Sequence, residues 1–223
     1  MAINSGERDR SVRSPLSIQI QRWRGSSAKE DILFENCTWI NKPSRWHLAS
    51  GALSVVTDSK TDFWRETHYG FVRHNGHCFG YRTSGDFTAT IRVRGRYREL
   101  YDQAGMMVLL DEQTWIKAGI EYSDGRAALS SVLTIGKSDW ATAAFAGDPG
   151  DFWVRATMAR GALRVQVSSD GAVWPLLRLC PFPQMPSYIV GPMCCTPERG
   201  GLELEFTNFE VTAPLNKQLH DLS

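Results

Sequence analysis

No run in this chain approaches the ~18 consecutive apolar residues that a membrane-spanning helix needs, so no membrane partner is expected. The first residues, MAINSGERDRSVRSPLS, lack the apolar segment of a secretory signal. A surplus of one charge sign is also missing, because 25 Lys and Arg stand against 24 Asp and Glu. No global field marks a nucleic-acid binder, and none is expected as a partner. Cysteine is sparse and unpatterned: Cys37, Cys78, Cys180, Cys194 and Cys195 are odd in number and contain no C-x-x-C pair. Adjacent Cys194 and Cys195 point to opposite faces of a strand, which suits neither a bridge nor a zinc site. The expectation is buried, reduced thiols in a cytoplasmic protein. G-x-S-x-G, H-E-x-x-H, P-loop and dinucleotide fingerprints are absent, so no cofactor and no metal are expected.

What is present is a succession of short alternating segments with glycine turns between them. DFTATIRVRGRY (86–97) puts Phe87, Ala89, Ile91 and Val93 on one side and Thr88, Thr90, Arg92 and Arg94 on the other. AGMMVLL (104–110) is apolar on both faces, as a strand covered on both sides should be. Further strands are read at 51–57, 115–122, 129–135, 151–158, 162–168, 173–180, 187–195 and 202–211. Asn75-Gly76 within RHNGHCFGYR reads as a hairpin turn. More than ten strands at this spacing predict an all-β sandwich or barrel. The core should contain Phe87, Ala89, Ile91, Val93, Ile116, Ile120, Leu163, Val165 and Val167.

Three parts are expected: an N-terminal arm or edge extension (1–31), a β-sandwich domain (32–212) and a C-terminal tail or short helix (213–223). The first thirty residues carry three more basic than acidic side chains, and SIQIQRW (17–23) alternates like an added edge strand. Eight Trp is a heavy load for 223 residues. Trp anchors cores, and it also stacks on flat ligands.

The segment TDFWRETHYGF (61–71) is unusual. Read as a strand, it places Asp62, Trp64, Glu66 and His68 on one face. WIKAGIEY (115–122) repeats the pattern, with Trp115, Lys117 and Glu121 on one face and Ile116, Ala118, Ile120 and Tyr122 behind. If DEQT (111–114) closes a hairpin, Leu110 faces Trp115, Val108 faces Lys117 and Ala104 faces Glu121. A turn at Ser123–Gly125 then brings Ser130, Val132 and Thr134 onto the Trp115 face. Lys117 with Glu121 also fits an ordinary surface ion pair.

Paired-carboxylate catalysis is poorly served. Asp62 and Glu66 would stand ~13 Å apart along a strand, against ~5–5.5 Å in retaining glycosidases. Glu66 and His68, at ~7 Å, are better spaced for acid/base work on a small ligand. Among His47, His68, His74, His77 and His220, only His74 and His77 form an H-x-x-H pair, and turn histidines are usually just exposed. Asp102 with Gln103, or Asp139, are oxygen donors of the kind calcium takes.

Seven phrases occur together and in order: WINKP (39–43), TDFWR (61–65), YDQAGMM (101–107), WIKAGIE (115–121), SSVLTIGKSDW (130–140), and MCCTPERGG with FTNFEV near the end. They resemble the family of uncharacterised domains that includes the fungal regulation-of-enolase protein, within the concanavalin A-like lectin/glucanase superfamily. Family members often have Glu before the Pro of the first phrase, where this chain has Lys42. The resemblance implies a two-sheet jelly roll with a concave sheet, and no agreed reaction. The superfamily's E-x-D-x-x-E acid pattern is absent. The resulting expectation is a lectin-like domain for a sugar or small polar metabolite, with a regulatory role in carbohydrate metabolism and a metabolic enzyme as a further partner. The alternative is a glycosidase- or lyase-type enzyme. The expected ligand-binding set is Asp62, Trp64, Glu66, His68, Trp115, Lys117 and Glu121, with Trp64 and Trp115 as stacking platforms.

Overall fold

Alternation of apolar and polar residues builds two antiparallel sheets that face each other across one apolar layer. The computed structural model describes Met1 and residues 33–223, so the expected arm and its edge strand lie outside the described residues. In chain order the strands are β1 (Thr38–Ile40), β2 (Arg45–Ala49), β3 (Ala52–Val56), β4 (Phe63–Arg65), β5 (Val72–His74), β6 (His77–Ser84), β7 (Phe87–Gly95) and β8 (Gln103–Asp111). They continue with β9 (Thr114–Ser123), β10 (Arg126–Ile135), β11 (Lys137–Ala143), β12 (Asp151–Ala159), β13 (Ala162–Ser168), β14 (Leu176–Pro181), β15 (Ser187–Cys195) and β16 (Glu203–Thr212).

The first sheet runs β1-β6-β15-β8-β9-β10-β11 and the second β14-β13-β12-β7-β16-β3-β2, while β4 and β5 form a separate hairpin. This is a jelly-roll sandwich. Phe87, Ala89, Ile91 and Val93 of β7 are buried between the sheets beside Phe152, Val154, Ala156 and Met158 of β12. Leu163, Val165 and Val167 extend that layer, and Ala104, Met106, Ile116, Ala118 and Ile120 meet it from the first sheet. Each large aliphatic or aromatic side chain so buried contributes roughly 1.5–3 kcal/mol.

The first sheet is apolar on its other face as well. Met107, Leu109, Trp115, Val132, Met193 and Cys195 form a second buried cluster, closed by Phe63 and Trp64 of the β4–β5 hairpin. Cys194 belongs to the main core and Cys195 to this second one, on opposite faces of β15. All five cysteines are free and buried.

Turn geometry sets both hairpin registers: β9–β10 pairs as expected and β8–β9 does not. Asp124 and Gly125 both take positive φ (52° and 75°), so the β9–β10 connection is a two-residue hairpin turn. It places Ser130 opposite Gly119, Val132 opposite Lys117 and Thr134 opposite Trp115. The β8–β9 hairpin is tighter than DEQT implied and carries a bulge between Leu109 and Asp111. That extra residue slips the pairing by one, so Leu109, not Leu110, faces Trp115, and Gln103, not Ala104, faces Glu121.

Asn75-Gly76 is not a hairpin turn. It links β5 to β6, which lie in different sheets. A Cβ at Gly76 would stand 2.4 Å from the Phe63 ring and 2.5 Å from Cys195 Sγ. Glycine is needed there for close approach, not for a reversal. Residues 213–223 form no helix and strap the outer face of the second sheet. Arg164 donates to the carbonyls of Lys217 and Gln218, and the Trp174 amide donates to the Leu222 carbonyl.

Candidate functional site

The β4–β5 hairpin is fixed to the first sheet at its turn end and closed on itself at its base. The Arg65 amide donates to Ser138 Oγ (2.9 Å) and its Nε to the Gly136 carbonyl (2.9 Å). At the other end, the Asp62 amide donates to Asn75 Oδ1 and the Asp62 carbonyl accepts the Asn75 and Gly76 amides. Between the two strands the chain makes two three-residue turns. Thr67 N–H reaches the Arg65 carbonyl and Tyr69 N–H the Thr67 carbonyl, both at 2.7 Å. Their central residues, Glu66 and His68, sit at φ 59° and 62°. This rare left-handed form of the turn costs on the order of 1–3 kcal/mol per residue.

The strained turn brings aromatic rings together. Tyr69 stacks with Phe71 (5.5 Å, 23°) and meets Trp64 edge-on at 5.6 Å. Trp140 of β11 stands edge-on to both Trp64 and Tyr101, and the Tyr69 and Tyr101 hydroxyls share a hydrogen bond of 2.8 Å. These five rings wall a pocket of about 210 Å³. Asp62, Gln103, Lys117 and Glu121 form its buried polar end, and Arg73 and Glu198 line it from exposed positions.

Lys117 is 3% exposed, and its Nζ donates to Asp62 Oδ1 at 3.0 Å. Burial opposes its charge, yet the Asp62 carboxylate, with Cys195 and Glu121, holds the ammonium above the ordinary lysine range. Glu121 is buried, and desolvation raises its carboxyl above the usual range against the pull of Lys117 and Ser130. Ser130 Oγ donates to Glu121 Oε2 (2.8 Å) and accepts the Trp140 indole N–H (3.1 Å), so one hydroxyl orients both an acid and a wall. The hydrogen bond to Tyr69, and then burial, push the Tyr101 phenol up to about 12. Burial likewise raises the Cys195 thiol beneath the site, which leaves it a poor nucleophile.

Of the expected ligand-binding residues, Asp62, Trp64, Lys117 and Glu121 come together in this pocket. Three do not. Trp115 is 0% exposed inside the second core, with its indole N–H held by the Glu112 carbonyl, so it offers no stacking face. Glu66 and His68 lie on the turn outside the pocket lining, because 61–71 is a hairpin and not one strand. Glu66 pairs with Lys137 (3.0 Å), and His68 lies against Tyr69. The two Trp-bearing strands also belong to different sheets. Lys117 and Glu121 are no surface pair, since both are buried and Lys117 bonds Asp62.

The other polar candidates are engaged elsewhere. Fully buried Asp102 takes the Arg199 guanidinium and the Arg98 and Glu99 amides, and Asp139 pairs with Arg178. His77 is buried between the Asn41 carbonyl and the Asp58 amide, whereas His74 packs edge-on against Phe63. Among the described residues no group of three His, Cys, Asp or Glu is placed to hold a metal. Tyr69, Phe71, Arg73, Tyr101, Gln103, Val132, Trp140, Pro197 and Glu198 also line the pocket, although none belongs to the expected ligand-binding set.

Comparison with known proteins gives a consistent placement. The chain is 59% identical over 186 residues to a Saccharomyces cerevisiae protein named "Regulation of enolase protein 1", covering 83% of this chain and 94% of that one. The crystal structure of a functionally unknown protein from Saccharomyces cerevisiae superimposes with a TM-score of 0.81 at 56% identity, over 82% of this chain and 99% of that chain. The GH43 protein BlXynB of Bacillus licheniformis matches with a TM-score of 0.59 at 13% identity, over 80% of this chain and 37% of that one, a likeness of fold alone. The family model described as "Protein of unknown function (DUF1349)" matches residues 39–214. The chain therefore belongs to the DUF1349 family.

Proposed function

We propose that this protein is a lectin-like binding module whose pocket between the β4–β5 hairpin and the first sheet takes a sugar or another small polar metabolite. The observation that carries this reading is the buried Asp62–Lys117–Glu121 group at one end of an aromatic-walled cavity. Buried charges are costly unless they have work or partners, and aromatic walls with a few polar groups are typical of small-molecule sites. The volume of about 210 Å³ falls below the ~300–1,000 Å³ of drug-sized sites, which fits a ligand of about one ring.

A regulatory role in carbohydrate metabolism is supported by the name of the yeast relative, which speaks of enolase. In this reading a metabolic enzyme is the macromolecular partner and the pocket is the sensor. The five free thiols favour a reducing compartment such as the cytoplasm. One observation favours a second reading, an enzyme acting on a glycan: the raised Glu121 carboxyl is suited to donate a proton. Asp62, the other acid, is tied up by Lys117, which weakens it as a partner.

The test is a thermal-shift screen of neutral sugars and central metabolites, repeated on Trp140→Ala. The proposal expects at least one compound to raise Tm in the native protein and to lose that effect in the variant. Stabilisation that persists in Trp140→Ala would place binding elsewhere. Disappearance of the added compound over time would favour the enzyme.

A further inference from the structure

Resting on the reading of the pocket as a binding site, we infer that it selects neutral hydroxyl-bearing ligands and rejects their phosphorylated or carboxylated counterparts. The donors and acceptors at the buried end are only partly satisfied. An ammonium has three N–H donors. Among the described residues Lys117 places one of them, on Asp62 Oδ1. Two donors remain beside the cavity. Asp62 Oδ1 also accepts the Phe63 amide (2.8 Å), while Oδ2 has no partner among the described residues. Glu121 Oε2 is held by Ser130, while Oε1 has none. Gln103 uses its amide nitrogen on the Tyr101 carbonyl, which leaves its side-chain oxygen as a further acceptor.

Open donors of one cation therefore lie next to open acceptors of two acids. A hydroxyl completes both sets, because it accepts from Lys117 and donates to a carboxylate oxygen. Two neighbouring hydroxyls would do so with one group on each acid. A carboxylate, or a phosphate monoester in its dianionic form, accepts from Lys117 but has no proton for Asp62 or Glu121. It would also bring negative charge into a pocket whose lining already holds three acids (Asp62, Glu121, Glu198) against two bases (Lys117, Arg73). Arg73 does not reverse this balance: it is exposed and its guanidinium lies over the Phe71 ring at 5.0 Å. A quaternary ammonium suits the aromatic walls but meets the buried charge of Lys117 and can accept nothing from it.

The device that keeps this selectivity is the Ser130 hydroxyl. It fixes Glu121 by one hydrogen bond and the Trp140 wall by another, so the acceptor and the stacking face are set together.

The decisive probes differ in charge: glucuronamide against glucuronate, which are matched in size, and glucose against the larger glucose 6-phosphate, titrated by calorimetry into the full chain. Glucuronamide should bind at least about tenfold more tightly than glucuronate, as expected for a like-charge conflict in a desolvated site. The near-isosteric Glu121→Gln variant should narrow that gap several-fold while keeping its fold by circular dichroism. Equal or tighter binding of glucuronate or glucose 6-phosphate would overturn the selectivity and leave the pocket a binding site. Failure of all four compounds to bind would remove the sugar-binding reading beneath it. An unchanged gap in Glu121→Gln would show that Glu121 does not set the selectivity.

Discussion

The first sheet has two buried faces, and they are built differently. Its inner face contributes Ala104, Met106, Ile116, Ala118 and Ile120 to an apolar core shared with the second sheet. Its outer face carries Met107, Leu109 and Trp115 beside Lys117 and Glu121, under a three-residue-strand hairpin. The same strands supply both faces. The inner face gains stability from burial without desolvating charge. The outer face accepts the desolvation of three ionisable groups and two strained turn residues, and what it gains is an aromatic-walled pocket. Structures usually carry such local conflicts where function requires them.

The largest expected effects test whether both faces are true cores. Phe152→Ala on the inner side and Trp115→Ala on the outer side should each cost about 3–5 kcal/mol in denaturant unfolding. A loss under ~1 kcal/mol for Trp115→Ala would mean the outer layer is a removable flap. Lys117→Met comes next, because it strands Asp62 and Glu121 in a buried site. It should cost about 3 kcal/mol, and the double variant Lys117→Met with Asp62→Leu should recover much of that. No recovery would mean that the ion pair is not what Lys117 provides.

A smaller effect comes from pH. The folded-state pKa of Glu121 is raised by burial above its ordinary value of 4.5. Between the unfolded and folded values the folded state keeps a proton that the unfolded chain has released. The stability linked to this group is fully present below the unfolded value and is lost as pH rises through the folded one. The native protein should therefore lose stability relative to Glu121→Gln as pH rises through the window above 4.5, with a slope of at most ~1.4 kcal/mol per pH unit. Parallel melting curves across that window would show no such linkage. The smallest effect on folding belongs to Trp140→Ala at the half-exposed wall, about 0.5 kcal/mol or less, alongside a loss of about 2 kcal/mol in ligand affinity.

How far the sequence speaks follows from the same contrast. Inner-face residues repeat at period two over whole strands, so β7, β12, β13 and β15 are legible from pattern alone. β1, β2 and β11 are harder to read because they lie at sheet edges, where short, exposed segments carry no two-sided apolar pattern. Trp115, Lys117 and Glu121 share a face, as alternation says, but alternation does not reveal that a hairpin covers Trp115. Nor does any local signal announce that Glu66 and His68 take left-handed φ, which breaks 61–71 into β4, turn and β5. Tyr101, Trp140 and Glu198 reach the pocket from distant stretches of chain, and only tertiary folding brings them together. The bulge after Leu109 is similarly silent, and it alone moves Gln103 opposite Glu121.

The central claim is that the outer face of the first sheet, beneath the hairpin, is where a small ligand enters. Indole N–H resonances report on it directly, since Trp64 and Trp140 line the pocket while Trp115 is sealed beneath it. With the eight Trp signals assigned by single substitutions, glucose and glucuronamide should be titrated into the full chain and followed by two-dimensional NMR. The account predicts saturable shifts of the Trp64 and Trp140 signals, with Trp39, Trp46, Trp153 and Trp174 unmoved. Shifts confined to those four, with Trp64 and Trp140 still, would contradict it.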